Sequence, residues 1–363
     1  MIRALLLLFL ALILPAAHAA SDTQTGVWRG QIGRLDVIAC FDNGNWGRYY
    51  YLANGHTLNL APDDGFWREF AAKDAGLTGR WELSDPVKKR IVGEWTTKDG
   101  AHPTPIRLRS IPLQKVTKSP YPCENPAFIA PLRAMTPMTK GKYFQLGGLA
   151  WHDVSVKSVK GRKLSGVVLD ETIPSPLGKA LKTRLDNGVD NLLTCGGDTI
   201  WLDMLDYDST ERIAYVTPTQ VVITWARYYD CGGNHPDGGT GGLVLSRSSG
   251  KEVLQKVWLK PPYDKEIVSG STLSGKLLAS YGKKLDQDCR EVLSEAFSWN
   301  FWPTPEGMAA SPYVARAGRA CEAETVLPWR TVRPFLNVEG LRLMDEMRAA
   351  MQGGSLDPRG LNL

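Results

Sequence analysis

The chain has 363 residues, 43 Lys and Arg against 38 Asp and Glu, and a formal net charge of +5. That length exceeds what one hydrophobic core usually supports, so two domains are expected. The charge is mild and the basic residues are scattered. Lys88-Lys89-Arg90 is the only run of three and reads as a solvated turn, so nothing argues for nucleic-acid binding.

In chain order, the first element is a secretory signal over residues 1–20. Arg3 supplies the positive start, Ala4 to Leu14 the apolar run, and Ala17-His18-Ala19 the small-residue cleavage site. The run is too short to span a bilayer, and no later stretch is long and apolar enough to do so. The mature chain is therefore expected outside the cytoplasm, periplasmic or secreted.

Residues 21–111 repeat a small theme: Gly26-Val27-Trp28, Gly47-Arg48-Tyr49, Gly79-Arg80-Trp81 and Gly93-Glu94-Trp95 each place an aromatic two residues after a glycine. Turn signals recur between them at Asp42-Asn43-Gly44, Asn54-Gly55, Asp64-Gly65 and Asp99-Gly100. Side chains two apart in a strand share a face, so the aromatics read as a core ladder on one face of an antiparallel meander of short strands. The glycines permit bends. Residues 112–140 carry Pro112, Pro120, Pro122, Pro126, Pro131 and Pro137, a density that resists helix and central strand and reads as a linker.

Residues 141–340 read as an α+β domain, helices packed on a mainly antiparallel sheet. Tyr143 to Val168 alternates as strand. Ser175-Pro176 caps a helix whose stripe is Leu177, Leu181, Leu185, Val189 and Leu192. Strands are expected at Ile200–Leu205, Arg212–Val216, Val221–Tyr229, Leu243–Leu245 and Val253–Leu259, then two helices, then strands at Phe301-Trp302 and Thr325-Val326-Leu327. Val338 to Met351 reads as a last helix, with residues 341–363 taken as a C-terminal helix and tail. Its methionines suit packing.

Three stretches of this domain resemble a known module. They are Ile173-Pro174 with the helix to Leu193; Tyr228 to Pro236 with Gly250-Lys251; and Phe301 to Gly307, then Pro312-Tyr313-Val314-Ala315, Gly318 and Leu327-Pro328. Over about residues 140–335 the order resembles the extracellular module shared by the lysozyme-binding anti-sigma factor family and some peptidoglycan or polysaccharide deacetylases. The family module usually lacks the four cysteines found here, and no deacetylase catalytic domain accompanies it. The resemblance implies an envelope module used for binding.

Six cysteines remain after processing: Cys40, Cys123, Cys195, Cys231, Cys289 and Cys321. An even count in an exported chain favours three disulfides, among fifteen pairings. Cys195-Gly196-Gly197-Asp198 and Cys231-Gly232-Gly233-Asn234 are near-copies that suggest one bridge; Cys289 with Cys321 suggests a second, leaving Cys40 and Cys123 by elimination.

The stretch Tyr228 to Gly239 holds a thiol, an imidazole and two carboxylates. A bridged sulfur is no nucleophile. Two residues, Cys231 and His235, fall short of a zinc site, and no Gly-x-Ser-x-Gly elbow is present. Gly232-Gly233 and Pro236 suit a defined turn. The candidate binding edge is Tyr228, Tyr229, Gly232, Gly233, Asn234 and His235, with no catalytic or metal residue and no cofactor assigned. The expected function is non-catalytic binding of peptidoglycan fragments or of a lysozyme-like hydrolase in the cell envelope. One alternative is a hydrolase or deacetylase using His235 with Asp198 or Asp237; another is a structural or assembly protein.

Overall fold

The structure, a computed structural model, describes residues 22–43, 45–71, 76–115, 121–157, 162–195, 206–231, 236–261, 271–280, 286–296, 298–314 and 316–350. The signal segment, Asp198 and the loop 232–235 lie outside them, as does the strand expected at 200–205. The described chain divides into two compact units, one up to Leu132 and one from Arg133 onward.

The first unit is all β and closed. Strands β1 (Gly26–Ile32), β2 (Leu35–Asp42), β3 (Trp46–Tyr51), β4 (Thr57–Asp63), β5 (Phe66–Ala71), β6 (Leu77–Leu83), β7 (Arg90–Thr97) and β8 (Thr104–Ile111) each pair antiparallel with the next. β8 then pairs back on β1, so the meander becomes an eight-stranded barrel with no free edge. Curvature of this degree needs close strand approach at the Gly-x-aromatic positions. A Cβ on Gly93 would lie 2.0 Å from the Glu82 carbonyl oxygen, and one on Gly79 2.7 Å from that of Thr96. The aromatics two residues on, Trp28, Tyr49, Trp81 and Trp95, all pack in the interior with Phe41, Trp67 and the aliphatic residues.

That ladder carries polar heads, and two acceptors satisfy them. The short 3-10 turn Asp22–Gln24 places Gln24, buried, where its carbonyl accepts from Trp28 Nε1 at 2.8 Å and its Oε1 from Trp67 Nε1 at 2.8 Å. Glu69, 3% exposed, gathers the others. Its Oε2 accepts from Tyr49 Oη at 2.7 Å, Trp81 Nε1 at 2.9 Å and Trp95 Nε1 at 2.8 Å, and its Oε1 from Thr78 Oγ1 at 2.7 Å. Burial, and then the Glu69 charge beside it, hold the Tyr49 phenol far above its usual range, so it stays a donor.

Part of the expected linker is helical, where its prolines were expected to resist helix. A 3-10 turn at Pro122–Glu124 leads into helix α1 (Pro126–Met135), and the segment from Met138 is already strand. Pro126 sits at the first helical position, where a missing N–H costs nothing. Pro131 lies inside α1 and sacrifices a bond, at about 3 kcal/mol. Burial of Phe128, Ile129 and Leu132, at roughly 1.5–3 kcal/mol each, outweighs that. Phe128 packs on Tyr50 of β3, whose Oη donates to the Phe128 carbonyl at 2.8 Å. The Cys40–Cys123 disulfide anchors the turn to β2, and the Cys123 amide donates to Asp42 Oδ1 at 3.2 Å.

In the second unit, strands β9 (Met138–Leu146), β10 (Leu149–Lys157), β11 (Lys163–Leu169), β12 (Asp206–Val216), β13 (Gln220–Asp230) and β14 (Asp237–Ser246) form one sheet in sequence order. Every pair is antiparallel except β11 with β12. That parallel step requires a crossover, supplied by α2 (Pro176–Thr194). Ser175 caps α2 by accepting from the Gly178 amide at 3.0 Å, and Leu177, Leu181, Leu185, Val189 and Leu192 are all buried, the stripe expected from their spacing. Leu177 and Leu181 meet one face of the sheet at Trp151, Ile213, Val221 and Ile223.

On the other face, Val222 and Val244 meet a second core. It is built from the three-stranded sheet β15 (Ser298–Pro303), β16 (Gly307–Tyr313) and β17 (Thr325–Pro328), with α3 (Thr272–Ser280), α4 (Gln287–Ser294), α5 (Trp329–Val332) and α6 (Val338–Ala350). Met344 and Met347 of α6 are packed in that core. Cys195 at the end of α2 is bridged to Cys231 just after β13, and Cys289 of α4 to Cys321. The whole is α+β, mostly β with helices.

Candidate functional site

Strand β13 has two ends, and each raises a candidate. At its C-terminal end lie the residues singled out by sequence. Tyr228 is 47% exposed, while Tyr229 is half-buried and its Oη donates to Asp237 Oδ2 at 3.0 Å. Asp237 Oδ1 in turn accepts the Gly238 amide at 2.8 Å. The Asp237 carboxylate thus holds the base of the loop together, and Cys231 is in a disulfide. Gly232, Gly233, Asn234 and His235 lie outside the described residues.

At the N-terminal end of β13, eleven residues and so about 35 Å away along the strand, is a cleft of about 980 Å³. It is built largely from turns. The β12–β13 turn is held by Thr217, whose Oγ1 accepts the Gln220 amide at 3.0 Å. The β9–β10 turn contributes Leu146 and Gly147, the latter at φ +54° and within 3.0 Å of Val216 at its would-be Cβ. The turn after β14 is set by Gly250, at φ +65°, where a Cβ would lie 2.3 Å from the Pro176 carbonyl oxygen. Helix α6 closes the cleft with Arg342, Glu346 and Ala349.

The polar groups of the cleft are not alike in their commitments. Arg342 is spent: it pairs with Glu339 at 2.8 Å and with Glu346, and Glu346 also accepts from Thr219 Oγ1 at 2.7 Å. Arg247 is not. Its Nη1 donates to the Thr217 carbonyl at 3.0 Å, and among the described residues no carboxylate pairs with it. Gln220, 6% exposed, lines the cleft with its Oε1 sealed from solvent and without a hydrogen-bond partner. Hydroxyls of Thr217, Thr219, Ser246 and Ser248 and apolar surface from Leu146, Val216, Pro218 and Val253 complete the lining. Together these groups can receive a molecule with an anionic group, hydroxyls and an apolar part.

Neither a family model nor a curated protein matches the sequence. Among solved structures, the chain is similar to a DUF3298-family protein from Pseudomonas aeruginosa PAO1. The match has 13% identity and a TM-score of 0.34, and covers 56% of this chain and 95% of that one. It is also similar to a DUF3298-family member from Bacteroides fragilis NCTC 9343, with 10% identity, a TM-score of 0.37, and coverage of 59% and 98%. Likeness at that level carries no functional argument. The three disulfides fit an oxidising compartment and hence an exported protein. No helix among the described residues is long and apolar enough to cross a membrane.

The cleft has no signature in the sequence. Its determinants, Thr217, Gln220 and Arg247, sit in ordinary turn and strand-end positions. Only register brings them together, Gln220 lying opposite Ser246 on β14. The glycine pair in Gly147-Gly148 and the Ser248-Ser249-Gly250 turn were the available signals. Among the described residues no group of three His, Cys, Asp or Glu side chains could hold a metal ion.

Proposed function

We propose that this protein is an exported envelope protein that binds peptidoglycan fragments without chemical change, in the cleft at the N-terminal end of β13. The observation that carries the reading is Arg247, a guanidinium with no carboxylate partner among the described residues, set among serine and threonine hydroxyls in one cleft. An N-acetylated sugar bearing a carboxylate offers the complements: the carboxylate to Arg247 and ring hydroxyls to the Ser and Thr side chains. The resemblance of residues 140–335 to an envelope binding module supports the same reading.

Calorimetric titration of the mature protein with a muramyl dipeptide tests it. Binding is expected, weakened about tenfold or more in Arg247→Ala, the value of a hydrogen bond to a charged group. Absence of heat, or parental affinity in Arg247→Ala, would refute the site. A second reading, docking of a lysozyme-like hydrolase, is favoured by exposed Tyr228 at the opposite end of β13. Retention of such an enzyme by the protein, lost in Tyr228→Ala and kept in Arg247→Ala, would select it.

A further inference from the structure

The basic residues that look scattered in the sequence are gathered by strand register on the outer wall of the barrel. Arg90 of β7 pairs with Arg109 of β8, and Arg109 pairs with Arg29 of β1. Arg107, opposite Val92 on one side and Gln31 on the other, stands in the next row. Cross-strand neighbours stand only about 5 Å apart, and like charges directly opposite one another destabilise a sheet. All four arginines are exposed. The nearest carboxylates by register, Asp36 opposite Gln31 and Glu94 opposite Pro105, border the patch. Among the described residues no ion pair neutralises any of the four.

The adjoining turn adds two more cations at a conformational cost. Val87 and Arg90 exchange backbone hydrogen bonds at 2.9 and 3.0 Å around Lys88 and Lys89, which adopt φ of +51° and +63°. Two left-handed central residues make a turn that favours Asn and Gly, and a side chain there is strained. The turn is pinned beside the arginine row, since the Ser110 amide donates to the Lys89 carbonyl at 3.0 Å. Repulsion and strain are thus tolerated together in one place, a pattern that points to a use. Apolar side chains lie within the same patch: Val87 is 67% exposed and Val92 56%.

We propose that this face, Arg29, Lys88, Lys89, Arg90, Arg107 and Arg109 with Val87 and Val92, docks the barrel on an anionic lipid bilayer. The cations meet headgroup phosphates, and the two valines, which a purely ionic partner would not need, sit at headgroup depth. The test is sedimentation of the whole protein with phosphatidylcholine vesicles with and without phosphatidylglycerol, at low and high ionic strength. Binding is expected only with the anionic lipid, falling as salt screens it. Each basic residue is worth on the order of fivefold in partitioning, so Arg90→Glu/Arg109→Glu should lose about 25-fold or more. Lys140→Glu/Lys142→Glu, an equal charge change at exposed sites on β9, should lose far less. Val87→Ser/Val92→Ser, which removes no charge and touches no core, should weaken vesicle binding and leave any binding of soluble inorganic polyphosphate unchanged. The proposal is overturned by equal binding to neutral vesicles, by a folded arginine double variant that binds as the parent does, or by indifference to the valines.

Discussion

Replacing Glu69 by Leu removes the acceptor on which the aromatic ladder of the barrel converges. Four donors lose a partner: Tyr49 Oη, Trp81 Nε1, Trp95 Nε1 and Thr78 Oγ1. They are not equally stranded. Thr78 also reaches the Glu69 backbone carbonyl at 3.2 Å, and Tyr49 has the Tyr51 hydroxyl at 3.4 Å. Trp95 is only half-buried and can turn to water. Trp81 is fully buried with no alternative, so it bears the whole cost of an orphaned donor, about 1–3 kcal/mol, and the others add fractions of that. Relief of the desolvated carboxylate offsets part of the loss. The net expectation is a destabilisation of about 3 kcal/mol. Glu69→Gln, which keeps one carbonyl oxygen for Trp81, should lose roughly half as much. Guanidinium unfolding followed by near-ultraviolet circular dichroism, which reports packed Trp and Tyr, measures both. A double-mutant cycle with Trp81→Phe should show coupling of about 1–2 kcal/mol. A loss below about 1 kcal/mol in Glu69→Leu, or no coupling, would refute the idea that this carboxylate organises the ladder.

Burial is the largest influence on Asp42 and raises its carboxyl from 3.8 to about 6. Between those values the folded chain holds a proton that the unfolded chain has released, so stability falls as pH rises through that window and levels off above it. Asp42→Asn should abolish the fall and be more stable above pH 6 by up to about 3 kcal/mol, read from urea unfolding across pH. Removing the Cys40–Cys123 bridge, which spans 83 residues, should cost about 4–5 kcal/mol in the loop-entropy account; the Cys195–Cys231 bridge, spanning 36, should cost about 1 kcal/mol less, both checked by unfolding of double-Ala variants. Glu211 pairs with Arg184 at 2.7 Å and Arg227 at 2.6 Å, tying α2 to β12 and β13. Because both arginines are partly exposed, Glu211→Gln should cost only about 1–2 kcal/mol in thermal unfolding.

Local patterns in the chain foretold local structure. The Gly-x-aromatic theme announced strands with one aromatic face, the leucine stripe after Ser175-Pro176 announced α2, and even cysteine usage announced three bridges. What failed was anything set by distant pairing. Nothing near β1 or β8 says that they meet, so closure of the barrel could not be read. Proline counting gave no sign of α1 within residues 112–140, because apolar burial of Phe128 and its neighbours decides that helix and proline only shapes its start. The acceptor role of Glu69 is hidden because its partners lie at positions 49, 78, 81 and 95. The cleft was illegible for the same reason: Gln220 and Arg247 belong to separate turns, and the conspicuous Tyr228–Gly239 stretch drew attention to the opposite end of the same strand.

Ligand binding is proposed at the Gln220–Arg247 end of β13. Amide chemical-shift mapping of the intact protein during titration with a muramyl peptide measures this directly. Saturable shifts at Thr217, Thr219, Gln220, Arg247 and Ser248, with Tyr228 and Tyr229 unmoved, are the predicted result. Shifts confined to the Tyr228–Tyr229 end, or none at a ligand excess that saturates comparable sugar sites, would contradict it.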